Sequence, residues 1–240
     1  MWSVCKKEFR QFFSSLTGYI TIIVFLLLNG LFLFVFPESN ILDFGYATID
    51  KFFEVAPWIL LFLIPAITMR SFSDEFRTGT FEILRTKPLR TPALIMGKFL
   101  GSFLVVLIAL LPTLLYAVTV NSISTGGGLD VGGTLGSYIG LIFLSAVFIA
   151  ISICFSSLTN NAVVAFITSA FVCFLVYSGF NAISQIPALE SGADYYVEML
   201  GIDFHYRSIS RGVIDSRDIV YFCSVILFFI LFTNRNIAKR

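Results

Sequence analysis

From Val131 to Leu189 the chain carries no charged residue, and no other feature restricts the fold as much. A helix rising 1.5 Å per residue crosses a hydrocarbon layer of about 30 Å in about 20 residues. The stretch is therefore too long for one crossing and fits two. The polar cluster Ser156-Ser157-Leu158-Thr159-Asn160-Asn161 is the natural turn between them, which places spans at about 137–155 and 162–180. The same reading of apolar runs predicts spans at about 18–36, 55–69, 99–120 and 219–233. Composition agrees. The 240 residues are 57% hydrophobic and 13% charged, with a mean hydropathy of +0.90. Soluble chains have roughly 45–50% apolar and about 25% charged residues. A soluble enzyme domain, a disordered chain and a disulfide-stapled secreted module are excluded. The expected fold is an all-α polytopic membrane protein, one transmembrane domain over 1–240 with six transmembrane helices.

The net charge of +1 hides a strong separation. The two termini, the 2–3 connection and the 4–5 turn hold 12 basic and 4 acidic residues; the other three connections hold 4 basic and 11 acidic. Lys and Arg are retained on the cytoplasmic side of a membrane. Both termini and residues 70–98 are therefore expected to face the cytoplasm, with 181–218 outside. Lys6, Lys7 and Arg10 precede the first span as a signal peptide's basic region would. That span is too long, however, and Phe36-Pro37-Glu38 is wrong for cleavage, so it is read as retained. Arg70, Arg217 and Arg235 can snorkel from the ends of the short spans. Asp215 as N-cap, with Asp218 three residues on, would accept orphan backbone N–H groups and extend the sixth span backwards.

Several segments outside the spans are informative. At 100° per residue Trp2, Cys5, Phe9, Phe12, Phe13 and Leu16 share one arc, with Lys6, Lys7 and Arg10 on the other faces. Residues 1–17 are expected to form an amphipathic helix in the membrane interface. Residues 70–98 mix charges with Phe72, Phe76, Phe81, Ile83 and Leu84, and Pro88 and Pro92 stop regular structure. This reads as a cytoplasmic helix–turn–helix whose aromatics are exposed for docking on a partner. The glycine-rich run 126–136 has no G-x-x-x-x-G-K-[ST] and no Lys or Arg, so it is an external turn and not a phosphate cradle. Asn181–Leu189 fits a re-entrant segment and an ordinary loop equally well.

No ionisable residue lies inside a predicted span, which argues against a proton-coupled carrier. No H-E-x-x-H or G-x-S-x-G is present, so catalytic residues are expected to be none. Cys5, Cys154, Cys173, Cys223 and the single His205 are too scattered for a metal site. A chain that moves something without its own chemistry takes its energy from a partner, and residues 70–98 are the place to hold one.

Those residues carry a resemblance. After the second span Glu75, Arg77, Gly79, Thr80, Glu82, Leu84 and Pro88 fill the pattern E-x-R-x-G-T-x-E-x-L-x-x-x-P, and Gly97-Lys98 precedes the third span. The chain resembles the ABC-2 type permeases, membrane subunits of ATP-binding-cassette exporters. The run Gly201–Phe222 is similar to the gliding-motility-associated permease subunits of Bacteroidota and to copper-processing permeases. The resemblance implies an inner-membrane exporter subunit linked to gliding motility, moving an unknown substrate. It implies that Asp74, Glu75, Phe76, Arg77, Gly79, Thr80, Glu82, Leu84 and Pro88 form a coupling helix seated in a separate ATPase. That partner would carry ATP and Mg, so the chain itself needs no cofactor. A second permease copy or a related subunit would complete the path, and residues 1–17 would be the family's connecting helix. A non-transporting anchor that tethers an ATPase in a gliding or secretion machine is the alternative.

Overall fold

The structure, a computed structural model, describes residues 1–36, 48–85, 90–124, 128–186, 193–213 and 215–239. Among them there are α-helices and no strand. Helix α1 (Trp2–Phe13) meets α2 (Leu16–Phe34) at 72°. The break lies at Ser15, whose extended backbone ends one helix while its hydroxyl accepts from the Gly18 N–H to begin the next. Next come α3 (Asp50–Thr68), α4 (Arg70–Arg77) and α5 (Thr80–Arg85). Helix α6 (Thr91–Leu110) passes through a 3₁₀ turn at Leu111–Thr113, set by Pro112, into α7 (Leu114–Ile123). Helix α8 (Val131–Leu158) is followed by α9 (Ala162–Phe174), a π-turn over Leu175–Gly179, and α10 (Phe180–Ser184). The chain closes with α11 (Ala193–Glu198), α12 (Ile202–Ser210) and α13 (Ser216–Lys239).

Among the described residues five helical runs are long and apolar enough to cross a membrane: Asp50–Arg77, Thr91–Ile123, Val131–Leu158, Ala162–Ser184 and Ser216–Lys239. The bent α1–α2 pair makes a sixth if counted as one span. These helices outrun the apolar segments that predicted them. A helix continues cheaply once nucleated, and caps set its end: Asp130 accepts from the Gly133 N–H to open α8, and Asn161 from the Val163 N–H to open α9. The extension draws Lys51, Glu54, Lys98 and Asp218 into the ends of spanning helices.

Helix α8 is the central post, apolar on all sides and packed against α3, α6, α9, α12 and α13. Its Leu141, Leu144, Val147, Phe148, Ile149 and Ile151 are fully buried. By contrast α2, α9 and α13 turn side chains such as Ile23, Leu27, Ile167, Phe171, Leu227 and Leu231 outward, the surface a lipid solvent would cover.

Neighbouring contacts sort the helix ends into two groups. Lys7 in α1, Glu75 in α4, the start of α6, Ser156 near the end of α8 and Asn236 near the end of α13 share one end, where the Asn236 amide donates to the Ser157 carbonyl. We call this the basic end. The starts of α3, α8 and α13 gather around α12 at the other, acidic end.

Three expectations change. The aromatics of residues 70–98 are not exposed: Phe72 is fully buried, Phe81 nearly so and Phe76 half-buried, because α4 continues the run of α3 and packs against α8, which takes them inward. The apolar arc of α1 is divided: Cys5, with Val4, packs on α6, while Trp2 and Leu16 stay exposed. Asn181–Ser184 completes the helix that began at Ala162, while Pro187–Leu189 lie outside the described residues. The segment that packs back against the bundle is instead α12.

Candidate functional site

The basic end is organised around Lys98, fully buried in the first turns of α6. A buried ammonium needs both an opposite charge and hydrogen bonds, and Lys98 has them. Its Nζ lies 2.9 Å from the Glu8 carboxylate and 3.0 Å from that of Glu75, and it donates to the Ser71 carbonyl at 2.5 Å. It also sits 4.7 Å above the Phe72 ring. Lys7 reaches the same Glu75 oxygen at 2.8 Å. Two ammonium groups and two carboxylates thus form a neutral node joining α1, α4 and α6.

Local sequence explains why these elements meet. Gly97 and Gly101 are one turn apart on α6 and face α1. A Cβ on Gly97 would lie 2.7 Å from the Val4 Cβ, and one on Gly101 2.8 Å from the Glu8 Cβ. Small residues at this spacing let two helices touch, and here they bring Glu8 down onto Lys98.

Helix α4 is fixed from the other side by Ser156 of α8. The Ser156 hydroxyl accepts from the backbone N–H groups of Phe72 and Ser73, at 3.1 and 3.3 Å, and donates to the Met69 carbonyl at 2.9 Å. It therefore serves backbone groups freed by the break between α3 and α4. Gly79 then turns the chain from α4 to α5 with φ +71°, a left-handed conformation that favours glycine. The turn brings Phe81 edge-on to Phe76, with ring centroids 4.8 Å apart, and Phe76 stacks on Phe72 of its own helix at 5.9 Å.

The residues singled out for coupling divide by direction. Glu75 faces inward, its Oε2 buried with no hydrogen-bond partner among the described residues. Phe76 lies in the aromatic cluster. Asp74 sits between Arg77 at 3.3 Å and Arg70 at 3.9 Å, and Arg77, Thr80 and Glu82 are exposed. Leu84 belongs to α5, and Pro88 lies outside the described residues. In α1, Phe9 and Phe12 both pack on Phe13, at 4.8 and 5.5 Å, while Lys6 and Arg10 are exposed. Beside α4 a recess of about 750 Å³ opens toward the α8–α9 turn, lined by Arg70, Asp74, Arg77 and Thr159–Val163. The exposed charges of α4 and this recess form a polar surface able to receive another protein, held in place by the node behind it.

Sequence reasoning missed Glu8, Lys98 and Ser156 as site residues. Glu8, a lone acid among Lys6, Lys7 and Arg10, and Lys98 between two glycines were the available signals. Ser156 offered none, because it reads as part of a polar turn.

At the acidic end, α12 lies on a glycine-lined face of α8. A Cβ on Gly136 would come within 2.9 Å of the Gly212 Cα, and Gly212 has φ +81°. The Ser137 hydroxyl donates to the Ser210 carbonyl, and the Tyr206 hydroxyl to the Phe53 carbonyl at 2.7 Å. Burial pushes the Tyr206 hydroxyl well above its ordinary pKa. The Asp215 carboxylate accepts from the Arg217 N–H and is held below its usual pKa by that bond. Asp218, expected to serve backbone N–H groups, turns instead to His205, with Oδ1 2.7 Å from Nδ1. A wide cleft of about 1010 Å³ opens beside them, with Asp50, Glu54, Trp58, Tyr177, Asp203 and Arg207 among its walls. In it Asp203 pairs with Arg207, raising the guanidinium's pKa, and accepts from the Asn181 amide.

No group of metal-ligating side chains occurs among the described residues. In comparison with known proteins, a family model described as "ABC-2 family transporter protein" matches residues 37–200, from before α3 to the end of α11. No curated protein matched the chain.

Proposed function

The chain belongs to the ABC-2 family of transporter proteins, and from that premise we propose that it is the membrane permease of an exporter driven by ATP hydrolysis in a separate subunit. The observation that carries this reading is the node: a surface helix bearing exposed charges is bolted by buried ion pairs to two elements of the bundle. A partner that pushes α4 must then move α1 and α6 as well. The family implies an ATPase partner. On this reading its groove takes α4 and α5, with Asp74, Arg77, Thr80 and Glu82 toward it, while Glu75 and Phe76 hold the helix from behind. The basic end faces the cytoplasm, in keeping with the retention of Lys and Arg there. ATP-driven closure of two ATPase subunits would rock two permeases, this chain with a second copy or a relative, as rigid bodies. The likeness of Gly201–Phe222 to gliding-motility permeases supports an inner-membrane role in that process. Helix α1 would lie along the cytoplasmic interface, with Trp2, Phe9 and Phe13 toward lipid.

The test uses the complex co-purified from native membranes and reconstituted in vesicles. The double variant Arg77→Glu, Glu82→Lys reverses two exposed charges without touching the node. It should insert normally, lose the co-purifying ATPase and lose ATP-dependent transport. Normal ATPase recovery and flux in this variant would remove the coupling assignment. ATPase recovery without flux in the unaltered complex would leave the anchor reading in its place.

A further inference from the structure

A second buried pair lies outside the node: His205 and Asp218, 4% and 5% exposed, where α12 meets α13. Both nitrogens of the His205 ring face oxygen atoms. Nδ1 lies 2.7 Å from Asp218 Oδ1, and Nε2 lies 3.0 Å from the carbonyl of Met199, in the turn between α11 and α12. A backbone carbonyl only accepts, and so does an ionised carboxylate. A neutral imidazole has one N–H to give and would set its other lone pair against an oxygen. The ring that fits carries a hydrogen on each nitrogen, which makes it the imidazolium. Two further observations ask for a positive charge there. The ring stacks on Tyr221 with centroids 3.9 Å apart, a placement that attracts a cation. Asp218 makes no other ion pair among the described residues, and its second oxygen is buried without a hydrogen-bond partner. A carboxylate in that setting is costly without an opposite charge.

The other charged and titratable groups around α12 are engaged elsewhere. On α12 itself Asp203 pairs with Arg207, which also lies 3.8 Å from Glu198 of α11. On α13 Asp215 and Arg217 are exposed and bonded to each other, and the Tyr221 hydroxyl donates to the Leu200 carbonyl. Helix α8 brings no charged side chain, and its cap Asp130 lines the cleft of about 1010 Å³, as do Arg211, Tyr177 of the π-turn, and Asp50 and Glu54 of α3.

We propose that His205 and Asp218 form a proton-binding site that ties α11, α12 and α13 together and makes the cleft wall sensitive to pH. With the proton bound, the ring bridges the α11–α12 turn to α13. Asp203, Tyr206 and Arg207 of the same helix wall the cleft, so the tie fixes their positions. Raising the pH removes one ring hydrogen. One of the two bonds is then lost, and a carboxylate stays buried beside a neutral ring. The tie is therefore present with the proton bound and lost as pH rises. Both groups are almost without solvent contact, so the proton leaves only as the tie opens, and titration and opening are one event. The inference holds whatever the chain transports.

The chain has a single histidine, so nitrogen NMR of the full chain in nanodiscs, labelled with ¹⁵N-histidine, reads this site alone. It is paired with amide hydrogen exchange over the same pH series, expressed as protection relative to the unfolded chain. Both ring nitrogens should carry hydrogens while α12 is protected. As pH rises, loss of one of them should coincide with a fall of about tenfold or more in the protection of α12 and of the turn before it, the effect of losing a charge-assisted hydrogen bond. Protection of α4 should not change. Asp218→Asn should abolish the pH response of α12, and Arg207→Ala should leave it intact. A ring with a single hydrogen in the protected protein overturns the imidazolium. Titration of the ring with α12 still protected overturns the tie. A pH response kept in Asp218→Asn, or lost in Arg207→Ala, overturns the pair as its source.

Discussion

The two ends of the bundle are held by different forces. At the basic end α1, α4 and α6 are joined through buried charges, with Lys98 fully enclosed and Glu75 nearly so. At the acidic end the Lys and Arg pairs are open to solvent, as in Lys51–Glu54 and Arg207–Glu198; a buried His205–Asp218 contact joins α12 to α13, and close backbone packing holds α12 on α8. A buried ion pair is specific in direction and severe in its loss, while exposed pairs contribute about 0–1 kcal/mol. One end is therefore built to transmit displacement between named helices. The other is a packed lid beside an open polar cleft.

Breaking the node should have the largest effect. Lys98→Met leaves Glu8 and Glu75 buried without their shared cation, which costs about 3–5 kcal/mol. Thermal unfolding in detergent should show a large drop, and a wild-type melting temperature would mean the node carries no load. The matching change at the acidic end is Gly212→Val, which puts a branched side chain at positive φ and drives a Cβ to within 2.8 Å of the Gly133 Cα. It should cost about 2–3 kcal/mol. Hydrogen exchange should rise across α12 and stay unchanged across α4; a rise at both ends would mean the two are one cooperative unit.

Ser156→Ala sharpens the comparison from within the basic end. It strands the N–H groups of Phe72 and Ser73 and should cost about 1–3 kcal/mol, with faster exchange at the start of α4 while α1 stays docked. Asp215→Asn should have the smallest effect. The folded protein depresses the Asp215 carboxyl below its ordinary 3.8, so its contribution is present above that pH and lost as pH falls through the depressed value. The gap in unfolding temperature between variant and wild type should be slight at neutral pH and close on acidification. A gap that widened in acid would reverse the sign.

Much of the fold could be read from single residues. The uncharged run from Val131 to Leu189 demanded two helices and a turn, and α8 and α9–α10 are those helices, with Asn161 capping the second. The third span reads in sequence as one unbroken run, and the 3₁₀ turn at Pro112 divides it into α6 and α7. The candidate site was legible only as a segment. Glu75 and Phe76 stood out as residues of a surface loop, yet both turn inward, and the surface falls to Asp74, Arg77, Thr80 and Glu82. Periodicity over so short a helix cannot say which face finds a neighbour, because that depends on where α8 ends and offers Ser156.

By itself the sequence determined the solvent each segment requires and the polarity of the two ends, since transfer out of water and net charge are properties of each residue alone. Only the tertiary structure decided which charges meet. Lys7 finds Glu75 across 68 residues and Lys98 finds Glu8 across 90. Those encounters depend on two glycines that let α1 settle onto α6. A pair energy falls off within a few ångströms, so nothing short of the packed helices could specify it.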